Sequence, residues 1–232
     1  MHHQLEPSYV LHSRPYRESS LILEAFSRRC GRVGVVARGA RGAKSRWKNV
    51  LQPFRPLLLS WTQRGELGTL TGADQVASPP ALAGDALFCG MYVNELLYRF
   101  LQRSDPHPGL FDDYRRLLAE LAGSDAPQPA LRLFELRLLE AAGFALQLDH
   151  EHDSDEAIAP GRHYRYLPES GAVRRDADCG EEELVSGEAL LALRAGTIDA
   201  AHQRELKYLM RRLIRYHLGD RPLKSQSLFV GS

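Results

Sequence analysis

The chain has 232 residues, enough for one large domain or two small ones, and its 44% hydrophobic content excludes global disorder. The formal net charge of +1 excludes a uniformly basic protein, but residues 1–80 carry 12 Lys and Arg against 5 Asp and Glu, while the remainder carries 18 against 24. Three scattered cysteines (Cys30, Cys89, Cys179) exclude a disulfide framework, and no run approaches the roughly 20 apolar residues that cross a bilayer.

The first 80 residues read as strands. YVLHS, SLILEAF, GRVGVVA, LLLSW and LGTLTGA are short runs of β-branched and large apolar residues, separated by glycine, proline or polar clusters. Five short strands without long helices between them predict a small closed barrel of the OB type, with an SH3-like barrel as the competitor. Between the third and fourth runs lies ARGARGAKSRWK, holding Arg38, Arg41, Lys44, Arg46 and Lys48 with no acid. Unpaired charges cannot enter a low-dielectric core, so this loop must face water or an anion. A basic, glycine-loosened loop between strands suits a nucleic-acid backbone, although charge runs are commonly only solvated surface. Trp47 among these charges either stacks on a base or covers the end of the barrel. His2 and His3 read as a frayed terminus.

Pro79-Pro80 marks a boundary, after which the hydrophobic period becomes helical. ALFCGMYVNELLYRFL, FDDYRRLLAELA and ALRLFELRLLEAAGF predict three helices of a bundle, with Asp112-Asp113 near the start of the second and Gly143 stopping the third. The expected division is therefore 1–79 and 80–232. From 149 to 188 the chain holds 12 acidic and 4 basic residues, and HYRYLPESGAVRRD predicts a hairpin within an irregular surface excursion. His150 and His152 lie among acids there, but zinc prefers four ligands at defined spacing, and no metal or other cofactor is expected. The last helix, about 202–218, places Leu206, Leu209, Met210, Leu213 and Ile214 on one face and Arg204, Tyr208, Arg211 and Arg215 on the other. The tail adds Arg221 and Lys224. With the loop, Arg204, Arg211, Arg215 and Lys224 form a second candidate anion-binding surface. Phosphate-loop, GxSxG and HExxH patterns are absent, so an enzyme is not expected.

In order along the chain, YVLHSRPYRESSLILEAFSRRCGRVGVVARGARGAKS, LQPFRPLLLSW, MYVNELL, ALRLFELRLLEAAGF and LGDRPLKSQSLF resemble the RecO family of DNA repair and recombination mediators. The resemblance implies an α+β protein with an N-terminal five-stranded OB-fold barrel followed by a mostly helical C-terminal domain. It implies binding of single- and double-stranded DNA and annealing of complementary strands; the unpaired cysteines and the lack of an apolar N-terminal run predict a cytoplasmic, nucleoid-associated protein. It also implies partnership with RecR and the acidic C-terminal tail of the single-stranded DNA-binding protein SSB, and indirectly with the recombinase RecA. The family's basic barrel surface maps onto Arg14, Arg32, Arg38, Arg41, Lys44, Arg46 and Lys48. The arginine that holds the SSB tail maps onto Arg132, for which the plain alternative is a structural salt bridge with Glu135. Many members carry a four-cysteine zinc site after EAAGF. This chain has DHEHD and a lone Cys179 there, so hydrogen bonds or packing must replace the metal. An RNA-binding OB module in translation or RNA processing is the alternative function.

Overall fold

The computed structural model describes residues 1–124, 126–175, 180, 183–219 and 221–225. Five strands open the chain: β1 (His2–Tyr16), β2 (Ser20–Ser27), β3 (Gly31–Ala37), β4 (Leu57–Gln63) and β5 (Leu67–Gln75). They close into a barrel in the order β1-β2-β3-β5-β4, with β4 pairing back onto β1. The β3–β5 pair is parallel and the other pairs are antiparallel. This closure is the expected OB fold and disposes of the SH3-like competitor. Alternation along each strand turns Leu23, Ala25, Val33, Val35, Leu57, Leu59 and Trp61 inward to fill the barrel.

Strand β2 is buried on both faces, as its continuous run of large residues requires. The helices α1 (Gly84–Phe100) and α2 (Pro108–Gly123) belong to the same compact unit as the barrel. Phe26 meets Phe111 and Tyr114, and Tyr9 meets the same two rings. Asn94 of α1 donates to the Leu11 carbonyl and accepts from the Tyr114 hydroxyl at 2.5 Å. Leu223, Lys224 and Ser225 return to this unit, where the Glu95 carboxylate accepts from both the Lys224 and Ser225 amides and from the Ser225 hydroxyl. The compact unit thus runs past Pro79-Pro80, which is where strands give way to helices. Asp112 and Asp113 stand one turn inside α2, not at its start: Pro108 occupies the first turn, where its missing N–H costs nothing.

The second compact unit holds α3 (Gln128–Ala141), β6 (His163–Leu167), β7 (Gly171–Arg174), β8 (Leu184–Ser186), α4 (Gly187–Ala195) and α5 (Gln203–Leu218). The expected hairpin is β6–β7, and β8 adds to the other edge of β6. Ser186 caps α4, its hydroxyl accepting from the Ala189 amide, and Gly196 ends the helix at φ 75°. Leu206, Leu209, Met210, Leu213 and Ile214 bury the inner face of α5.

Candidate nucleic-acid interface

The loop after β3 has an apolar floor and a charged rim. Ala40, Trp47 and Leu51 are buried against the barrel core, while Arg38, Arg41, Lys44, Arg46 and Lys48 are exposed. Short turns built on Gly39 and Gly42 make this alternation possible: the amide of Gly42 bonds to the Gly39 carbonyl, and Ser45 to that of Gly42. Trp47 therefore packs, with 7% of its surface exposed, and is not a base-stacking platform. The Arg46 guanidinium lies 4.1 Å from the centre of the Trp47 ring and donates to the Thr71 carbonyl of β5. The indole thus holds a cation at the surface.

The same loop is tied to the β1–β2 turn. The Arg41 amide donates to the Ser19 carbonyl, and its guanidinium to the carbonyls of Arg17 and Glu18. Arg14 is exposed on β1 in register with Ile22, near this turn. A cleft of about 350 Å³, lined in part by Ser13, Arg41, Trp47 and Lys48, lies between these pieces. Among the described residues, Arg14, Arg38, Arg41, Lys44, Arg46 and Lys48 form no salt bridge with any acid. Arg17, exposed in the turn with its guanidinium over Tyr16, joins them. In the sequence, the one mark of Arg17 is its place in the turn between the first two strand runs.

Arg32, which the family resemblance maps onto the basic surface, does not lie on it: its side chain is only 15% exposed and is used internally. It donates to Glu24 at 2.7 Å and to the Leu101 carbonyl at 2.8 Å, and Arg103 also binds Glu24. A buried carboxylate needs such partners, so the two arginines neutralise Glu24. Arg132 is likewise used internally. It is 3% exposed and donates to buried Glu135 at 2.8 Å, the salt bridge that the sequence offered as the alternative. Its Nε and Nη1 have no hydrogen-bond partner among the described residues.

In the second unit, Arg204, Tyr208, Arg211 and Arg215 share the exposed face of α5, as the helical period requires. Arg204 lies over the Tyr208 ring. Lys224 does not continue this face: it belongs to the barrel unit, beside Glu95, and the expected helix-plus-tail surface is divided between two units.

Where zinc was expected to be replaced, the structure has a carboxylate hub. Glu151, 2% exposed, accepts from Ser154, Arg162, Tyr164 and Arg174. Burial alone would raise its pKa, but the hydrogen bonds from Ser154, Arg174 and Tyr164 and the charge of Arg174 outweigh burial and take it down to about 2. Glu156 adds a second contact to Arg162 and Arg174. Cys179 lies outside the described residues.

The family models decide the kinship. The one described as Recombination protein O N terminal matches residues 1–79, and Recombination protein O C terminal matches residues 82–227. The chain belongs to the RecO family. It is 49% identical to a protein named DNA repair protein RecO from Methylococcus capsulatus, over 98% of this chain and 93% of that one. Proteins of the same name from Nitrosococcus oceani and Halorhodospira halophila are 46% and 45% identical, each over 97% of this chain and over 92% and 96% of their own lengths. These relatives are named for DNA repair. No described helix is long and apolar enough to cross a membrane.

Proposed function

We propose that this RecO-family chain is a non-enzymatic mediator of DNA repair and recombination in the cytoplasm. It binds single- and double-stranded DNA and anneals complementary strands. Together with RecR and SSB it loads RecA. The observation that carries the reading is the group of exposed cations at one end of the barrel, Arg14, Arg38, Arg41, Lys44, Arg46 and Lys48, without an acid partner among the described residues. Complementary strands repel through their phosphates. A protein that neutralises several phosphates releases counterions and lowers that repulsion. The α5 stripe offers a second surface, and two surfaces on one chain raise the effective concentration of one strand near the other. Phosphate contacts carry no sequence, so binding is sequence-blind and salt-sensitive.

Support for Arg132 as a receptor of the SSB tail lies in its two unpartnered nitrogens, which suit a terminal carboxylate. Its burial requires neighbouring side chains to part first. Titration of a labelled tail peptide against wild type and Arg132→Ala tests this, with equal affinities ruling it out. The function itself is tested by the pairing rate of complementary oligonucleotides. The expected result is acceleration that falls as salt rises, with single-stranded RNA of equal length competing less well than DNA. No acceleration by folded protein, or stronger competition by RNA, overturns the proposal.

A further inference from the structure

Three metal-ligating side chains of different kinds meet at the barrel, away from the basic loop. His3 and Glu6 come from β1, and Cys30 from the β2–β3 turn. Their ligand atoms all lie within 4.8 Å of one another, and the Cys30 Sγ is 3.3 Å from the His3 Nδ1. We infer that His3, Glu6 and Cys30 form a binding site for a zinc-like divalent cation, with water completing the coordination.

The backbone explains how the three converge. In a regular strand, residues three apart point to opposite faces. Here the pairing of β1 with β4 shifts register between His3 and Glu6, and Leu5 takes the left-handed conformation at φ 50°. A bulge of this kind re-aims a side chain and brings Glu6 to the side of His3. A leucine rarely adopts that conformation, and the Leu5 amide is held by the Ser60 hydroxyl. Contrary to the frayed terminus that the sequence suggests, His3 pairs with Trp61 in the sheet, and its ring stacks on the Trp61 indole at 4.5 Å. Gly31 fixes the turn that delivers Cys30. It sits at φ 68°, and a β-carbon there would collide with the backbone of Asp105.

The donor set is thiolate, imidazole and carboxylate, which zinc accepts together. Tetrahedral zinc with bonds of about 2.0–2.3 Å separates its ligand atoms by roughly 3.2–3.8 Å, so the histidine–cysteine spacing is already suitable. Glu6 is 7% exposed, and Arg29 binds both its oxygens, at 2.8 and 3.0 Å. The cation would take one oxygen and leave Arg29 the other. Binding displaces the thiol proton to solvent, and the new sulfur–metal bond compensates for its loss.

The test uses the full chain in a Cys89→Ala, Cys179→Ser background, so that Cys30 is the sole thiol. Co²⁺ is titrated under a non-thiol reductant, and Zn²⁺ is then competed against it. The expected result is one Co²⁺ per chain with a thiolate charge-transfer band, reversed by Zn²⁺ and abolished by Cys30→Ser. His3→Gln should weaken binding at least about tenfold, as should Glu6→Gln. His2→Gln should leave binding unchanged, and Arg29→Gln, which frees Glu6, should tighten it. Circular dichroism confirms that each variant is folded; if Glu6→Gln is not, His3→Gln and Cys30→Ser decide. No band in the background protein overturns the site, as does a band indifferent to His3→Gln or binding lost with His2→Gln alone.

Discussion

The 37–48 loop and the 149–188 segment are both charge-rich and contain glycine, yet the fold uses their charges in opposite ways. In the loop, apolar residues 40 and 47 turn inward, as does Leu51 just beyond it, and the cations turn out, without acids. In the acidic segment, Glu151 turns inward and draws Arg162 and Arg174 onto itself. Charge density does not distinguish a binding surface from a structural network. Whether each charge has an opposite partner does. The same contrast recurs within one strand–loop unit, where Arg32 is consumed by Glu24 and Arg38, six residues on, is not.

The contrast breaks most visibly if the loop is neutralised. Replacing Arg38, Arg41, Lys44 and Arg46 with alanine should weaken single-stranded DNA binding about 100- to 1,000-fold near 0.1 M salt, and lower the slope of log affinity against log salt by about 3. An unchanged slope in fluorescence-anisotropy titrations would move the interface off the barrel. Glu151→Gln should instead leave that slope alone and lower the melting temperature by roughly 5 °C or more, because two guanidinium groups lose their common carboxylate. Calorimetry showing no such fall would remove the hub from the account of stability.

Acid titration sharpens the same point. The Glu151 carboxyl falls from 4.5 to about 2 on folding, so its contribution is fully present above pH 4.5 and is lost as pH drops toward 2. Wild type should lose melting temperature across that window more steeply than Glu151→Gln, and parallel curves would contradict the assignment. The smallest expected effect on DNA binding is that of Arg32→Gln. It should destabilise the barrel unit while shifting the salt slope by less than about 0.5, since no phosphate contact is removed. A slope change near 0.7 would return Arg32 to the interface.

Much of the fold is legible in the residues. Alternation and Gly/Pro punctuation mark all five barrel strands, and the 3.6-residue period marks α1, α2, α3 and α5. The short α4 goes unread because its Ala/Leu run directly follows the acidic segment and spans only 9 residues. Where the compact units divide is also unreadable, although SLILEAF, apolar on both faces, already requires a cover over its outer side. The loop cations are legible because they have no acid near in sequence. The fate of Arg32 is not, because Glu24 reaches it only through the β2–β3 register, in which Phe26 faces Arg32 and Glu24 faces Gly34. The meeting of His3, Glu6 and Cys30 depends on a bulge and on a sequence separation of 27 between His3 and Cys30, and no local pattern announces either.

The clasp on Glu95 has a consequence for biosynthesis. Its amide donors lie 129 and 130 residues downstream, so while the ribosome is still making the second unit this acceptor on α1 has none of them. The earliest-made half of the molecule is thus the last to be finished. Its nascent form should be looser around α1, and more open to proteases or chaperones, until residues 223–225 emerge.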